Sequence, residues 1–162
     1  MAYAAPLALF ETEVRPEWID PNGHLNVTYY VRAFDLSTDA FMDMLGIGWA
    51  YTAREKHSIF MLEAHVNYLD EVVEGDRLSF TVQLLDFDAK RIHIFQEMFH
   101  AEKRYRAATS EWLAIHVDLA AHRSVPLPAY ARDKLVAIMA AHEGLSRPEL
   151  AGRVMGIRRK LA

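Results

Sequence analysis

The order of apolar and polar positions divides the chain into a short strand, a long helix, four long strands and a final helix. Residues 9–16, "LFETEVRP", alternate and predict a strand that stops near Pro16. From residue 27 apolar side chains recur three, four or seven positions apart, which predicts a helix with a broad face in the core. Gly46 is its expected C-cap, and residues 48–56 predict a short second helix or an irregular segment. The face comprises Val27, Val31, Phe34, Thr38, Phe41 and Leu45, widened by Tyr30, Ala33 and Met42.

After residue 57 the period changes to two, which predicts strands. Residues 58–71, 78–87, 91–104 and 105–123 are the four predicted strands, with turns at 74–77 and 86–91. Pro126 and Pro128 end the sheet, and residues 129–142 predict a terminal helix that ends near Gly144. One face of the first of these strands carries Phe60, Leu62, Ala64, Val66 and Tyr68, and the other carries Glu63, His65 and Asn67. The last strand divides in the same way, into Leu113, Ile115, Val117 and Leu119 against Trp112, His116 and Asp118.

This order of elements predicts an α+β fold, in which a curved antiparallel sheet wraps around a long central helix and a C-terminal helix follows. Consecutive strands joined by short turns pair antiparallel, and a helix with so wide an apolar face needs a sheet that curls around it. Four to five strands leave an open edge, so we expect a homodimer or homotetramer that joins two sheets. The 162 residues fit one domain, 1–162, with a core at about 9–142 and a basic tail at 145–162.

Composition narrows the class of protein. The chain is 52% hydrophobic and 25% charged, which is typical of a globular domain. Its net charge of −4 argues against nucleic acid as a partner. The absence of Cys excludes disulfides, thiolate zinc sites and a cysteine nucleophile, and it fits a cytoplasmic location. The segment "MAYAAPLALF" lacks a basic region and is interrupted by Pro6, and no apolar run is long enough to span a membrane, so we expect no signal peptide and no membrane partner.

The segment "EWIDPNGHLNVTYY", residues 17–30, concentrates turn-forming and polar residues directly before the predicted long helix. One interpretation is structural: Pro21 and Gly23 bend the chain, and Asp20 or Asn26 caps the helix. The other is chemical, because free N–H groups at a helix start can hold an oxyanion, and a carboxylate one turn earlier could act on a carbonyl bound there. The residues alone leave both interpretations open.

Several segments resemble known families. A strand, an Asp-Pro-x-Gly turn, a buried helix and a long antiparallel sheet together resemble the hot-dog fold. "DPNG" resembles the Asp-Pro-Ala-Gly of the 4-hydroxybenzoyl-CoA thioesterase family, and "GHLN" is similar to the Gly-His-Val-Asn of other acyl-CoA thioesterases. Across about residues 10–157, the chain resembles the betainyl-CoA thioesterases of carnitine breakdown, which occur alone or fused to carnitine dehydrogenase. The segments that carry this resemblance are "EWIDPNGHLN", "FMLEAHVNYL", "KRIHIFQEMFH", "LAIHVD" and "AAHEGLSRPELAGR".

The resemblance implies an acyl-CoA thioester hydrolase without metal or cofactor, since CoA is part of its substrate. It places the catalytic carboxylate on Asp20, as general base or nucleophile, and an oxyanion-binding N–H near Val27, with His24 and Asn26 beside them. Pro21 and Leu25 depart from the pattern of the betainyl group. The alternatives are a thioesterase for another short, branched or aromatic acyl group, and a protein that binds acyl-CoA without hydrolysing it.

A betainyl group carries a permanent quaternary ammonium, which proteins hold with aromatic faces and a nearby carboxylate. The candidates for this role are Glu63 and the aromatic residues Trp18, Tyr29, Trp49, Tyr51, Tyr68 and Trp112, any of which could instead fill the core. For the CoA phosphates the candidates lie at strand ends, where charge also protects sheet edges. They are Lys90, Arg91, Lys103 and Arg104, with Arg106 and the tail residues Arg153, Arg158, Arg159 and Lys160 as further contacts.

A further polar set comprises Glu63, His65, Asn67, His93, Glu97 and His116 on neighbouring predicted strands. Alternating polar residues on a half-buried strand usually form a solvated or interface face with hydrogen bonds between strands. A site with three His ligands for a metal is the alternative, but it would need a carboxylate second shell and an entry path. We therefore expect no metal.

Overall fold

The computed structural model describes residues 3–157 and confirms the predicted α+β class. A curved antiparallel sheet of six strands packs against a long central helix, and a helix follows the sheet. No helix of residues 3–157 is long and apolar enough to cross a membrane. In chain order the elements are β1 (Leu7–Glu13), a 3₁₀ turn (Pro16–Trp18), α1 (Val27–Leu45), α2 (Trp49–Glu55), β2 (His57–Tyr68), β3 (Arg77–Phe87), β4 (Arg91–His100), β5 (Arg106–Asp118), β6 (Arg123–Ser124) and α3 (Ala129–His142).

The strand order in the sheet is β1-β3-β4-β5-β2, with the short β6 paired to β5. The antiparallel pairs β3–β4 and β4–β5 are the consecutive pairs that the sequence predicts. The expected pairing of β2 with β3 is wrong, because β2 pairs with β5 and forms one edge of the sheet. Residues 69–76 cross the ends of β5 and β4 to reach β3, which is a distance of about 14 Å at the usual strand spacing. This crossing segment passes beside the start of α1, where the Leu25 N–H donates to the Val72 carbonyl.

Helix α1 begins and ends where its capping residues predict. Asn26 is the N-cap, and Gly46 is the C-cap in the left-handed conformation with φ of 84°. Val27 and Val31 depart from the predicted apolar face, because they are 54% and 38% exposed. The buried face is instead centred on Tyr30, Ala33, Phe34, Ser37, Thr38, Phe41, Met42 and Leu45.

The centre of the core lies between α1 and the sheet. Phe34 meets Phe80 of β3 edge to face, with ring centroids 5.7 Å apart, and both side chains are fully buried. The Gln96 Nε2 on β4 donates to the Thr38 Oγ1 on α1 over 2.9 Å, and this bond joins the sheet to the helix inside the core. Each buried aromatic ring contributes about 1.5–3 kcal/mol relative to the exposed state, and these contacts therefore fix α1 on the sheet.

A β-bulge in β2 reverses its two faces, so one predicted face is wrong. The register against β5 shifts between Met61 and Glu63. One inserted residue moves every following side chain to the other face. Phe60 and Leu62 are therefore 51% exposed on the face away from α1, on the same side as Glu63. The face toward α1 carries Ile59, Met61, Ala64, Val66 and Tyr68.

Strand β5 turns the face with Trp112 and His116 toward the core, and the face with the aliphatic residues Leu113, Ile115 and Val117 away from it. Trp112 and His116 are buried on the side of α1, while Leu113, Ile115 and Val117 are half-buried on the opposite, outer face.

The terminal helix α3 spans the predicted residues, and it packs against β3 and the end of α1, where the Lys134 Nζ donates to the Met44 carbonyl over 2.7 Å. Arg158, Arg159 and Lys160, the predicted further phosphate contacts, lie outside the described residues.

Candidate functional site

The segment before α1 forms a closed turn that fixes the Asp20 carboxylate. The Asp20 N–H donates to the His24 carbonyl over 3.0 Å, and the Gly23 N–H donates to the Asp20 carbonyl over 2.9 Å. Gly23 has φ of 83°, a left-handed conformation that glycine adopts without strain. The Asn22 N–H donates to Asp20 Oδ1 over 2.8 Å, and the Asn22 Nδ2 donates to Asp20 Oδ2 over 3.4 Å, so Asn22 holds the carboxylate within the turn.

The first amide of α1 is an unused donor. Asn26 Oδ1 accepts from the Thr28 N–H over 2.9 Å, and the Asn26 carbonyl accepts from the Tyr29 N–H over 2.9 Å. The Val27 N–H, which precedes these two amides in the chain, has no acceptor among residues 3–157. This amide lies at the positive end of the helix dipole, where anions bind. Asn26 is thus the cap and Asp20 is not, which confirms the structural interpretation for Asn26, while the chemical role of Asp20 stays a prediction.

Asp20 and Val27 line one open cavity of about 470 Å³. The crossing segment 69–76 contributes Asp70 and Glu71, which sequence reasoning missed because the β2–β3 connection was expected to be a hairpin turn. His24 Nε2 lies 3.4 Å from Glu71 Oε2, which ties the turn to the crossing segment. The complete lining is Asp20, His24, Leu25, Val27, Tyr30, Tyr68, Leu69, Asp70 and Glu71.

Two tyrosines form the aromatic wall of this cavity. The rings of Tyr30 and Tyr68 meet edge to face with centroids 5.3 Å apart, and Tyr68 is half-exposed toward the cavity. The Tyr30 hydroxyl donates to the Asp70 carbonyl over 3.2 Å. Burial raises the pKa of Tyr30 to about 12, and burial also raises the pKa of Tyr68. Both rings are therefore neutral at physiological pH and present an uncharged aromatic surface.

The six aromatic candidates do not form a single cage within one chain; of them, only Tyr68 lines the Asp20 cavity. Trp18 stacks on Tyr29 with centroids 5.5 Å apart, beneath the start of α1. Trp49 is 67% exposed and lines a separate cavity of about 150 Å³ with Asp35 and Asp39. Trp112 is buried in the sheet, where its indole N–H donates to Ser110.

Tyr51 belongs to a buried hydrogen-bond network that the sequence did not indicate. His116 Nδ1 lies 3.1 Å from the Val125 carbonyl, which can only accept, so this nitrogen carries the proton. The Tyr51 hydroxyl therefore donates to His116 Nε2 over 2.9 Å and accepts from His57 Nδ1 over 3.2 Å. Burial lowers the pKa of His116 despite the opposing hydrogen bond to the Val125 carbonyl, and the neighbouring His57 lowers this pKa further. Burial raises the pKa of Tyr51 to about 12.

Glu63, His65 and His93 come together on the outer face, away from α1. They line a cavity of about 340 Å³ with Glu111 and Arg153, and His93 Nε2 lies 2.8 Å from Glu111 Oε1. His116 is on the opposite face, so the structure does not bring together the three His residues of the alternative metal site. Glu97 pairs with Arg106 over 2.6 Å, and Asn67 bonds to Thr109. Among residues 3–157, no group of three His, Asp or Glu side chains has a geometry that could hold a metal ion.

The four basic candidates for CoA lie at opposite ends of β4. Lys90 Nζ donates to Ser124, and Arg91 forms an ion pair with Asp88 over 2.6 Å. The hydrogen bonds from Arg91, followed by backbone N–H groups, lower the pKa of Asp88 to about 2. Lys103 and Arg104 are exposed on the β4–β5 turn, about 30 Å away along the strand. That turn is at the Asp20 end of the sheet, because the hydroxyl of the adjacent Tyr105 donates to the Glu71 carbonyl over 2.8 Å.

Comparisons with known proteins assign the family. The model of the thioesterase-like superfamily matches residues 14–135. The chain is 39% identical to the betainyl-CoA thioesterase of Pseudomonas aeruginosa, over 93% of this chain and 95% of that protein. It is 38% identical to the L-carnitine dehydrogenase/betainyl-CoA thioesterase of Rhizobium meliloti, over 96% of this chain and 31% of that protein.

The fold comparison agrees with the sequence comparison. A hypothetical protein from Staphylococcus aureus, solved in complex with CoA, superposes with a TM-score of 0.88 at 23% identity, over 98% of this chain and 100% of that chain. These matches confirm the resemblance that the turn and strand motifs predict. The chain therefore belongs to the thioesterase-like superfamily, and it is a thioester hydrolase with the hot-dog fold.

Proposed function

We propose that this enzyme hydrolyses betainyl-CoA to glycine betaine and CoA, as a step in carnitine degradation. The observation that carries the proposal is the shared cavity of the Asp20 carboxylate and the unused Val27 N–H, with Tyr68 and two further carboxylates, Asp70 and Glu71, in its wall. The identity of 39% to a betainyl-CoA thioesterase over nearly the whole chain supports the acyl group. A chain without Cys supports a cytoplasmic enzyme.

The chemistry needs only water and the groups around the cavity. As general base, Asp20 takes a proton from a water molecule while the water oxygen attacks the thioester carbon. The Val27 N–H then donates to the oxyanion of the tetrahedral intermediate. When the C–S bond breaks, the thiolate of CoA leaves and receives the proton from the Asp20 carboxyl. If Asp20 is instead the nucleophile, its oxygen displaces the thiolate and water then hydrolyses the resulting anhydride. Asn26 and His24 hold the helix start and the turn in place for either route.

Charge explains why this cavity suits a quaternary ammonium. Asp20, Asp70 and Glu71 give it three carboxylates, against the single His24. A trimethylammonium group beside the exposed face of Tyr68 gains about 0.5–2 kcal/mol from the aromatic ring, and the carboxylates add an attraction that a neutral group lacks.

A matched pair of substrates tests this explanation. In 3,3-dimethylbutyryl-CoA a carbon replaces the ammonium nitrogen, so the acyl group keeps its shape and loses its charge. We expect kcat/KM for betainyl-CoA to be at least about tenfold higher, measured by thiol release. Equal rates on these two substrates and on butyryl- and benzoyl-CoA would contradict the betainyl assignment.

We also propose that the CoA phosphates contact Lys103 and Arg104, which lie at the Asp20 end of the sheet and have exposed side chains. Lys90 and Arg91 are at the far end and are bonded to Ser124 and Asp88. Replacing Lys103 by Ala should raise KM with little change in kcat, because the contact is made equally in the ground state and the transition state. Lys90→Ala is the matched control and should leave KM unchanged.

We propose a homodimer as the basic assembly, joined through β2. This twelve-residue edge strand has its outer backbone groups unpaired among residues 3–157, and it exposes Phe60, Met61, Leu62 and Tyr68. Antiparallel pairing with the β2 of a second copy would satisfy that edge. It would also cover the Asp20 cavity, which is open at Tyr68 and Leu69. Light scattering after gel filtration should give the mass of two chains, and a monomer at micromolar concentration would refute the assembly.

A further inference from the structure

The segment after α3 crosses the outer face of the sheet from one side to the other. The Gln83 Nε2 on β3 donates to the Ser146 carbonyl over 3.2 Å. The Gly152 N–H then donates to Glu111 Oε2 on β5 over 2.6 Å, and the Arg153 Nη1 donates to Asn67 Oδ1 on β2 over 3.3 Å. The contacts thus run from β3 past β4 to β5 and then to the open edge at β2.

Beyond Arg153 the segment becomes apolar and leaves the sheet. Val154, Met155 and Ile157 are 86%, 84% and 87% exposed. Three apolar side chains in four residues, each almost fully exposed, form a surface that gains stability from burial. We call residues 154–157 the arm.

A groove with apolar side chains, which could receive the apolar arm, lies on the same outer face at the other end of β2. It has a volume of about 390 Å³. The β2 bulge turns Phe60 and Leu62 into this groove, where both are 51% exposed. Its apolar lining is completed by Met61, Ile115, Val117 and Leu119, and the polar residues Asp118, His122, Arg123 and Ser124 also line it. The arm of the same chain does not fill it, because the arm is exposed.

We propose that the arm of each copy docks in the Phe60–Leu62 groove of a second copy, so that the dimer exchanges its C-terminal segments. The inference rests on the β2 pairing proposed above. If the twelve residues of β2 pair along their full length, His57 of one copy faces Tyr68 of the other, and His65 faces Phe60. A pair of antiparallel strands related by a twofold axis shares one outer face, so arm and groove lie on the same side.

The distances favour the groove of the second copy. Arg153 lines a cavity with His65, so the arm starts near that residue. Phe60 of the second copy is then one strand spacing away, about 4.8 Å, whereas Phe60 of the same chain is five residues along the strand, about 16 Å away. Four extended residues span about 13 Å, which reaches the second copy's Phe60 and falls short of the chain's own.

The absence of Cys permits a direct test with the full chain. In the variant M155C/V117C, with the second thiol on the β5 side of the groove and away from the β2–β2 axis, mild oxidation should form a disulfide between copies, seen as a band of two chains on a non-reducing denaturing gel that reduction removes. The single variant M155C and the pair M155C/V136C, with the second thiol on an exposed position of α3, are the controls and should remain single chains. In a second measurement, M155S/I157S should raise the dissociation constant of the dimer by at least about tenfold.

The possible results separate the exchanged arm from the β2 pairing. A disulfide within one chain, or free thiols in a protein that is still dimeric by light scattering, would overturn the exchanged arm and leave the β2 pairing intact. An unchanged dissociation constant for M155S/I157S would overturn it as well. A monomeric wild-type protein would overturn both the pairing and the arm. Thioester hydrolysis by wild-type protein is measured separately, so its failure is distinguishable from any of these.

Discussion

The cap at the start of α1 connects the stability of the helix to the position of the Val27 amide. Replacing Asn26 by Ala removes the acceptor of the Thr28 N–H, a bond of 2.9 Å, and leaves a second unpaired amide at the first turn. Loss of such a cap costs about 1 kcal/mol, within a range of about 0.5–2 kcal/mol. For a chain of this size that lowers the melting temperature by roughly 2–4 °C.

The same change should lower catalysis. If the first turn must be ordered for the Val27 N–H to meet the oxyanion, the rate should fall by about fivefold, the factor that about 1 kcal/mol represents. The assay is thiol release from betainyl-CoA at saturation, with the melting temperature of each variant recorded by circular dichroism.

Two control variants make the result specific to the cap. Asn26→Ser keeps an oxygen acceptor and should keep both stability and kcat. Ile138 is fully buried on α3, so Ile138→Val should lower the free energy of unfolding by a similar amount, roughly 0.5–1.5 kcal/mol, without lowering kcat. The reasoning is refuted if Asn26→Ala is destabilised as expected but turns over at the wild-type rate, since the amide would then have no part in the reaction.

Three further predictions follow from other parts of the structure. The variants Tyr68→Leu and Asp70→Asn should each lower the preference for betainyl-CoA over 3,3-dimethylbutyryl-CoA severalfold in the thiol-release assay, and an unchanged ratio would remove that residue from the ammonium site. Phe34→Ala should lower the free energy of unfolding by about 3–5 kcal/mol in urea denaturation, because Phe34 is fully buried against Phe80; a loss below about 1 kcal/mol would contradict that packing. His116 has a pKa lowered below 6.5 by burial, so the unfolded state binds its proton first and stability should fall as the pH drops through 6.5. Urea denaturation at pH 7.5 and pH 5 should show this fall, and His116→Gln should reduce it.

The helices could be predicted because their signals are local. The apolar spacing and the residues Asn26 and Gly46 fix both ends of α1, and Pro128 precedes α3. The exposure of Val27 and Val31 could not be read from the same spacing, since periodicity defines a stripe but not where the sheet ends. That end depends on the strand order, which is a property of long-range pairing.

The sheet was harder to predict for the same reason. The bulge between Met61 and Glu63 inserts one residue, and apolar side chains on both sides of it hide the change of face. The eight-residue connection from β2 to β3 resembles a turn in composition, yet it crosses two strands. The Asp20 turn was predictable from its motif, whereas Asp70 and Glu71 enter the cavity only through that crossing.

The central claim is that Asp20 performs the chemistry, and the most direct measurement is thiol release from betainyl-CoA by wild type and Asp20→Asn. The amide oxygen can still accept from the Asn22 N–H, now 2.8 Å from Oδ1, and only the longer bond of 3.4 Å from Asn22 Nδ2 to Oδ2 is lost. The turn should therefore persist, and the melting temperature should change little. Asp35→Asn is the control. It removes one negative charge, as Asp20→Asn does, but Asp35 lies on α1 and does not line the Asp20 cavity. We predict a loss of about 10²–10⁴ in kcat for Asp20→Asn and little change for Asp35→Asn. A folded Asp20→Asn enzyme with turnover within about twofold of wild type would contradict the claim, because general acid–base catalysis contributes far more than that.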